Sequence, residues 1–249
     1  MRNILVATLL AAITCLPAWV YAAASTFPTA FTQFTVFGTT VVTNIGNTEI
    51  TGDLGLDGGT DIPGLGLNAL LSPGVVKGLI HINDENTVAA RNAIKVLYNQ
   101  LATQPCDASL ETPRIGTMKI TPGVTCVKPS ILILDHSTIT FDGEGNPQSK
   151  FIIKTPLLAV GHNVVMKLIG DAQVSNIFWI IDRAATLEAD QFVGNLITGP
   201  TGGSISISNH AKIFGRVQSL NGAVTLDNNK INPVNPDPTR EDIGIYTSP

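Results

Sequence analysis

The chain has 249 residues, 14% of them charged, with 15 lysines and arginines against 19 aspartates and glutamates, for a formal charge of −4. A mildly acidic chain without basic clusters argues against nucleic acid and anionic membrane as partners. Its four histidines, His81, His136, His162 and His210, are scattered without metal-ligand spacing, and no cofactor motif stands out.

At the start, Arg2 precedes an apolar run over residues 4–20, and Ala22, Ala23 and Ala24 follow. That is the layout of a secretory signal peptide, expected over residues 1–23 of an exported, secreted protein, with an uncleaved anchor as the alternative. Its removal takes away Arg2, Cys15 and Trp19 and moves the charge to about −5. Cys106 and Cys126 remain, and an even count in an exported chain favours a disulfide. Closing such a loop contributes about 3 kcal/mol in the chain-entropy picture. The remaining residues, 24–249, fit one mainly β domain or solenoid.

Residues 34–59 are rich in β-branched residues, glycine and asparagine and read as short strands between tight turns. Residues 63–78, with glycines and prolines of no clear period, read as loop. The period then changes. Val88, Ala90, Ile94, Leu97, Tyr98 and Leu101 recur mostly at spacings of three and four, after the capping run Asp84, Glu85, Asn86, Thr87 and before Pro105. This predicts one helix over about residues 86–103, its apolar stripe packed along one side of the β structure.

After Cys126 short β-prone stretches follow one another almost to the end, and three of them, 184–187, 204–207 and 223–226, recur about every 20 residues. They thread into three columns: 151–154, 178–181, 195–198 and 216–219; 157–160, 184–188, 204–208 and 223–227; and 164–168, 190–193, 212–214 and 229–231. A chain that repeats strand and turn in this way is a β-solenoid. Pro233, Pro236 and Pro238 are too dense for a central strand, so the tail 233–249 is expected to be an extended cap or disordered.

In the second column Leu187, Ile205, Ile207, Val224 and Leu226 alternate with Thr186, Ser204, Ser206, Ser208 and Thr225, so apolar residues pointing inward put hydroxyls outward. Thr138 and Thr140, flanking Ile139, and Ala159, between Leu158 and Val160, are expected to extend the row, with Thr40 and Thr43 joining from the first coil. Threonine on a strand is also simply a good β-former. Glu188, Asp190, His210, Lys212, Asp227 and Lys230 follow this column and are expected on its rim.

Several stretches in one order carry a family likeness: Phe37 to Gly46, Ile50 to Gly55, Gly78-Leu79-Ile80-His81, Tyr98 to Leu101, Thr121 to Cys126, Asn176 to Trp179, Phe192-Val193-Gly194, Gly215-Arg216 and Asn221 to Asp227. Over about residues 34–231 the chain resembles the microbial ice-binding protein family. The resemblance implies a right-handed, discontinuous β-solenoid of triangular cross-section with a long helix alongside. It also implies adsorption to the ice crystal surface through one flat face, with a gap between freezing and melting points and inhibited recrystallisation. A monomer without cofactor is expected.

Two other readings stay open. A carbohydrate lyase or hydrolase would need acids and bases converging on a groove; Asp135 with His136, or Asp142 with Glu144, are the nearest candidates and sit in turn-like contexts. An adhesive, polysaccharide-binding module would show aromatic residues outward, whereas Trp179 lies in an apolar run that reads as core.

Overall fold

The computed structural model describes residues 29–66, 73–112, 114–208 and 210–236. The expected signal peptide and the tail beyond residue 236 lie outside them. The described strands stack in parallel ladders on three faces of a solenoid, and apolar side chains fill the space between the faces.

One face, which lies under a helix, runs through Ile80–Ile82, Asp53–Leu56, Phe34–Gly38, Val217–Ser219, Asn195–Thr198, residues 177–181, residues 151–155, Gly123–Val127 and Ala108–Leu110. A second runs through Val42–Ile45, Val224–Asp227, Ile205–Ile207, residues 184–187, residues 157–160, Ile131–Ile133 and Arg114–Ile115. The third is a separate sheet that includes Glu49–Ile50, Lys230–Asn232, Lys212–Phe214, Gln191–Val193, Val165–Ile169, Thr138–Asp142 and Met118–Ile120. The three columns read from the sequence are these three faces. Residues 63–78, expected to be loop, hold the short strands Leu65–Gly66 and Gly74–Val76, which close the end of the third sheet. They are too short to leave an alternating pattern.

Local chemistry sets the corners. The long strands Phe151–Val160 and Ile177–Leu187 each cross from the first face to the second, with a register shift between Thr155 and Leu157. Pro156, which has no N–H to give the ladder, sits in that shift. Between the second and third faces the chain turns through left-handed residues at His136, Asn163, His210, Asn228 and Gly46, with φ of 60°, 56°, 67°, 52° and 73°. Asparagine, histidine and glycine tolerate that region best.

The order of strands in space is not their order in the chain. Phe34–Gly38 lies between the C-terminal Val217–Ser219 and its own successor Asp53–Leu56, so the N-terminal coils are stacked onto the last ones. After Ile80–Ile82 the chain stands at one end of the stack, whereas the next strand of that face, Ala108–Leu110, stands at the other. The helix α2, Glu85–Ala102, makes the return. Its 18 residues cover about 27 Å of the roughly 38 Å that nine strands about 4.8 Å apart span. A short helix, α1, Thr29–Gln33, leads into the first strand.

α2 starts where its caps require. Asp84, with extended φ and ψ of −104° and 178°, accepts from the Thr87 N–H at 2.9 Å, and its other oxygen lies 2.5 Å from His81 Nδ1. These hydrogen bonds, His81 first, hold the Asp84 carboxyl below the usual aspartate range. At the other end Lys154 Nζ reaches up from the sheet and donates to Ala102 O at 3.0 Å and to Gln104 O, satisfying carbonyls that the helix leaves unpaired.

The buried stripe is Thr87, Ala90, Ile94, Leu97, Tyr98 and Leu101, packed on Phe31, Phe34, Phe37, Ile152, Phe178, Ile180 and Ile197. Val88, expected in that stripe, is half exposed, and Thr87 takes the inward position. Burial, with the Asp182 charge as a lesser cause, pushes the Tyr98 hydroxyl up to about 12. Gly199 passes so close that a Cβ there would stand 2.5 Å from the Tyr98 oxygen. Where the chain leaves α2, a Cys106–Cys126 disulfide, with Cα atoms 5.8 Å apart, ties it to the strand Gly123–Val127 of the neighbouring coil.

Candidate functional site

The three faces differ in what they offer to solvent. The first is covered by α2 and its apolar stripe. The third is charged: Lys119 pairs with Asp142 at 2.9 Å and Lys77 with Glu49 at 2.5 Å, and Lys167, Lys212 and Lys230 stand on the same sheet. The second is flat and, from Ala159 to Thr43, carries small side chains along its central row.

On that flat face alternation does the sorting. Leu158, Val160, Ala185, Leu187, Ile205, Ile207, Val224, Leu226 and Val42 point inward and are buried. The residues between them point outward, and the register makes them one line. Ala159 pairs with Thr186, Thr186 with Ser206, Ser206 with Thr225, and Thr225 with Thr43. Residues from five successive coils, contributed by both halves of the chain, thus form a single row at strand spacing.

Among the described residues the Thr186 and Ser206 hydroxyls meet no protein partner, while Thr43 Oγ1 donates to Thr225 Oγ1 at 3.3 Å. On one side the row is flanked by Leu157, Ala184, Ser204 and Ala223, with the Ala223 N–H donating to Ser204 Oγ at 3.3 Å. On the other it is flanked by Glu188, Ser208 and Asp227, and Asp227 pairs with Ile45.

Three of the residues expected in the row lie elsewhere. Thr138 and Thr140 belong to the charged sheet, where Thr140 lies between Lys119 and Lys167 and Thr138 beside Val165. The reason is the corner at His136: the chain has already turned, and the strand this coil gives to the flat face is Ile131–Ile133, with Leu132 beside Ala159. A Thr-Ile-Thr alternation is the same on any half-buried strand, so spacing alone does not say which face it serves. Thr40 sits in the bend before Val42, exposed but out of register.

Sequence reasoning missed Leu132, Arg114, Leu157, Ala184, Ala223 and Ile45 on this face. Ala184 and Ala223 carry a signal, standing two residues before Thr186 and Thr225 in the same alternation. Arg114, in a two-residue strand, carries none.

The charged residues that follow the column divide between corner and neighbouring sheet. Glu188 and Asp227 form the edge row, and Glu188 Oε2 lies 3.1 Å from His162 Nε2 along the corner. His210 is a corner residue. Asp190 lies just past the corner, and Lys212 and Lys230 pair with each other on the charged sheet. None of the six stands in the central row.

The candidate acid–base pairs are corner chemistry. Asp135 Oδ1 accepts from the His162 N–H at 2.9 Å, and Asp142 Oδ1 from the Glu144 N–H at 2.9 Å. That backbone bond and then Lys119 hold the Asp142 carboxyl below the usual range. Among the described residues no group of three or more histidine, cysteine, aspartate and glutamate side chains is placed to hold a metal ion. Trp179 is buried, donating Nε1–H to Val193 O at 2.9 Å.

Fold and site together define a discontinuous β-solenoid that presents one flat, small-residue face. Residues 36–232 match the ice-binding-like family. The chain is 32% identical to an ice-binding protein of Nostoc sp. over 205 residues, covering 80% of this chain and 71% of the relative. It is 28% identical over 157 residues to ice-binding protein 1 of Shewanella frigidimarina, 59% of this chain but only 17% of that longer protein. Among solved structures, an ice-binding protein from an Antarctic biological consortium superposes with a TM-score of 0.74 at 32% identity, covering 82% of this chain and 88% of the other. An ice-binding protein from an Arctic yeast shares the fold with a TM-score of 0.73 at 23% identity, covering 85% and 96%. The chain belongs to the ice-binding-like family.

Proposed function

We propose that this protein adsorbs to ice through the flat face, with Ala159, Thr186, Ser206, Thr225 and Thr43 at the centre of the contact and Ser204, Ser208, Ala184 and Ala223 beside them. The single observation that carries this reading is the unbroken register of that row across five coils. Strands about 4.7–4.9 Å apart set the hydroxyls and methyls at a repeat comparable to oxygen spacings in ice, so surface water held there is already ice-like. Each contact is weak. The rigidity of the ladder lets them act as one template, because little order remains to be imposed on binding. Adsorbed protein then halts growth of the crystal beneath it, lowers the freezing point without lowering the melting point, and slows recrystallisation. The carboxylates of Glu188 and Asp227 border the contact and keep the molecule soluble.

In this reading the protein works outside the cell as a monomer, with residues 1–23 as a removable leader, and it performs no catalysis. Among the described residues no helix is long and apolar enough to cross a membrane. Ice growth in a nanolitre osmometer tests the proposal, using protein beginning at residue 24 and folded Thr186→Tyr and Thr225→Tyr variants. Faceted crystals and a freezing–melting gap in the parent, lost in the variants, are expected. A folded parent that leaves growth and recrystallisation unchanged would refute it.

A further inference from the structure

The row does not stop at Ala159. In the same register Ala159 pairs with Leu132, and Leu132 with Arg114 at the last coil of the stack. These two positions complete a seven-residue line, yet both break its chemistry. Leu132 is branched one carbon further out than threonine and has no hydroxyl. Arg114 is exposed, and among the described residues its guanidinium has no ion-pair or hydrogen-bond partner, so it is hydrated on its own terms. Bringing an ordered water layer against it requires stripping part of that hydration with nothing in exchange. At the opposite end Thr43 is the final ladder residue among the described residues, where Val42–Ile45 pairs only with Val224–Asp227 and the irregular segment around Pro63 lies beside it.

We propose that Leu132 and Arg114 limit the ice-contacting surface, so that only five of the seven in-register coils engage ice and the two positions set the strength of activity. This rests on the flat face being the ice-binding surface. The backbone at both positions is already held at strand spacing. Threonine there would add two rungs without new ordering cost, and the freezing–melting gap of the Leu132→Thr/Arg114→Thr double variant would rise by about 1.5- to 2-fold.

The experiment compares the gap at equal molar concentration for the parent, the double variant, Arg114→Glu and Thr186→Tyr, each checked for an unchanged melting transition. A larger gap in the double variant, with Arg114→Glu equal to the parent and Thr186→Tyr inactive, supports the proposal. A folded double variant with an unchanged or smaller gap overturns it and leaves the face in place. If the double variant does not fold, Arg114→Glu decides: a several-fold fall puts Arg114 inside the working contact and overturns the proposal, whereas an unchanged gap upholds it. An inactive parent, or an active Thr186→Tyr, overturns the face itself and this proposal with it.

Discussion

The flat face and the charged face are built from the same backbone. Both are parallel ladders at the same spacing, both bury an apolar residue between two outward ones, and both contain threonines in alternation: Thr186 and Thr225 on one, Thr138 and Thr140 on the other. What separates them is the neighbour across the ladder. Thr186 lies between Ala159 and Ser206, whereas Thr140 lies between Lys119 and Lys167. A threonine becomes part of a surface only when the coils above and below also present small side chains. In the proposed reading the unit of function is therefore the cross-coil row and not the single strand.

The sharpest way to break this comparison is a matched pair of bulky substitutions. Thr186→Tyr is expected to abolish the freezing–melting gap, and Thr140→Tyr to leave it unchanged, both in folded protein measured by nanolitre osmometry. Equal losses would mean that both faces meet ice.

Removing support from the helix-covered face should separate stability from activity. Ile94 is fully buried between α2 and the sheet, and Ile94→Ala is expected to cost roughly 2–5 kcal/mol through lost burial and the cavity left behind. Denaturant unfolding would show the loss, while the gap measured near 0 °C stays close to that of the parent.

Cys106→Ser with Cys126→Ser opens a loop of sequence separation 20 and is expected to lower stability by about 3 kcal/mol, again without altering the flat face. Reduction of the parent should reproduce the shift in its melting temperature.

The smallest effect is one of pH. Tyr98 holds its proton to about 12 in the folded protein, while the unfolded chain releases it near 10. Between those values the folded state binds more protons, so stability falls as pH rises from about 10 to about 12. Tyr98→Phe should flatten this part of the stability–pH curve. Asp84 and Asp142 work in the opposite direction: both are held below the usual range, so what they contribute is present at neutral pH and lost as pH falls through their folded values.

Much of the solenoid was legible because its period is short and its core is apolar. The alternation of Leu187, Ile205, Ile207, Val224 and Leu226 with hydroxyl residues placed the second column, and the caps from Asp84 to Thr87 placed the helix. The corner at His136 is not legible, because a left-handed residue in a turn leaves no periodic trace; without it, alternation assigns Thr138 and Thr140 to the flat face, whereas they lie on the charged one. The insertion of Phe34–Gly38 between Val217–Ser219 and Asp53–Leu56 was equally hidden. Pattern within a strand says which residues point out, and only pairing says which strands are neighbours. For the same reason the sequence alone leaves the neighbour of Thr43 open, while in the structure it is the partner of Thr225.

The most direct test of the central claim measures adsorption itself. Parent and Thr186→Tyr proteins, both beginning at residue 24, would be mixed at equal concentration with an inert reference protein and exposed to a slowly growing ice surface, and the composition of the ice compared with that of the remaining liquid. The parent should be enriched in ice over the reference and Thr186→Tyr excluded like it. Exclusion of the folded parent, or equal enrichment of parent and variant, would contradict the claim that this row is where the protein meets ice.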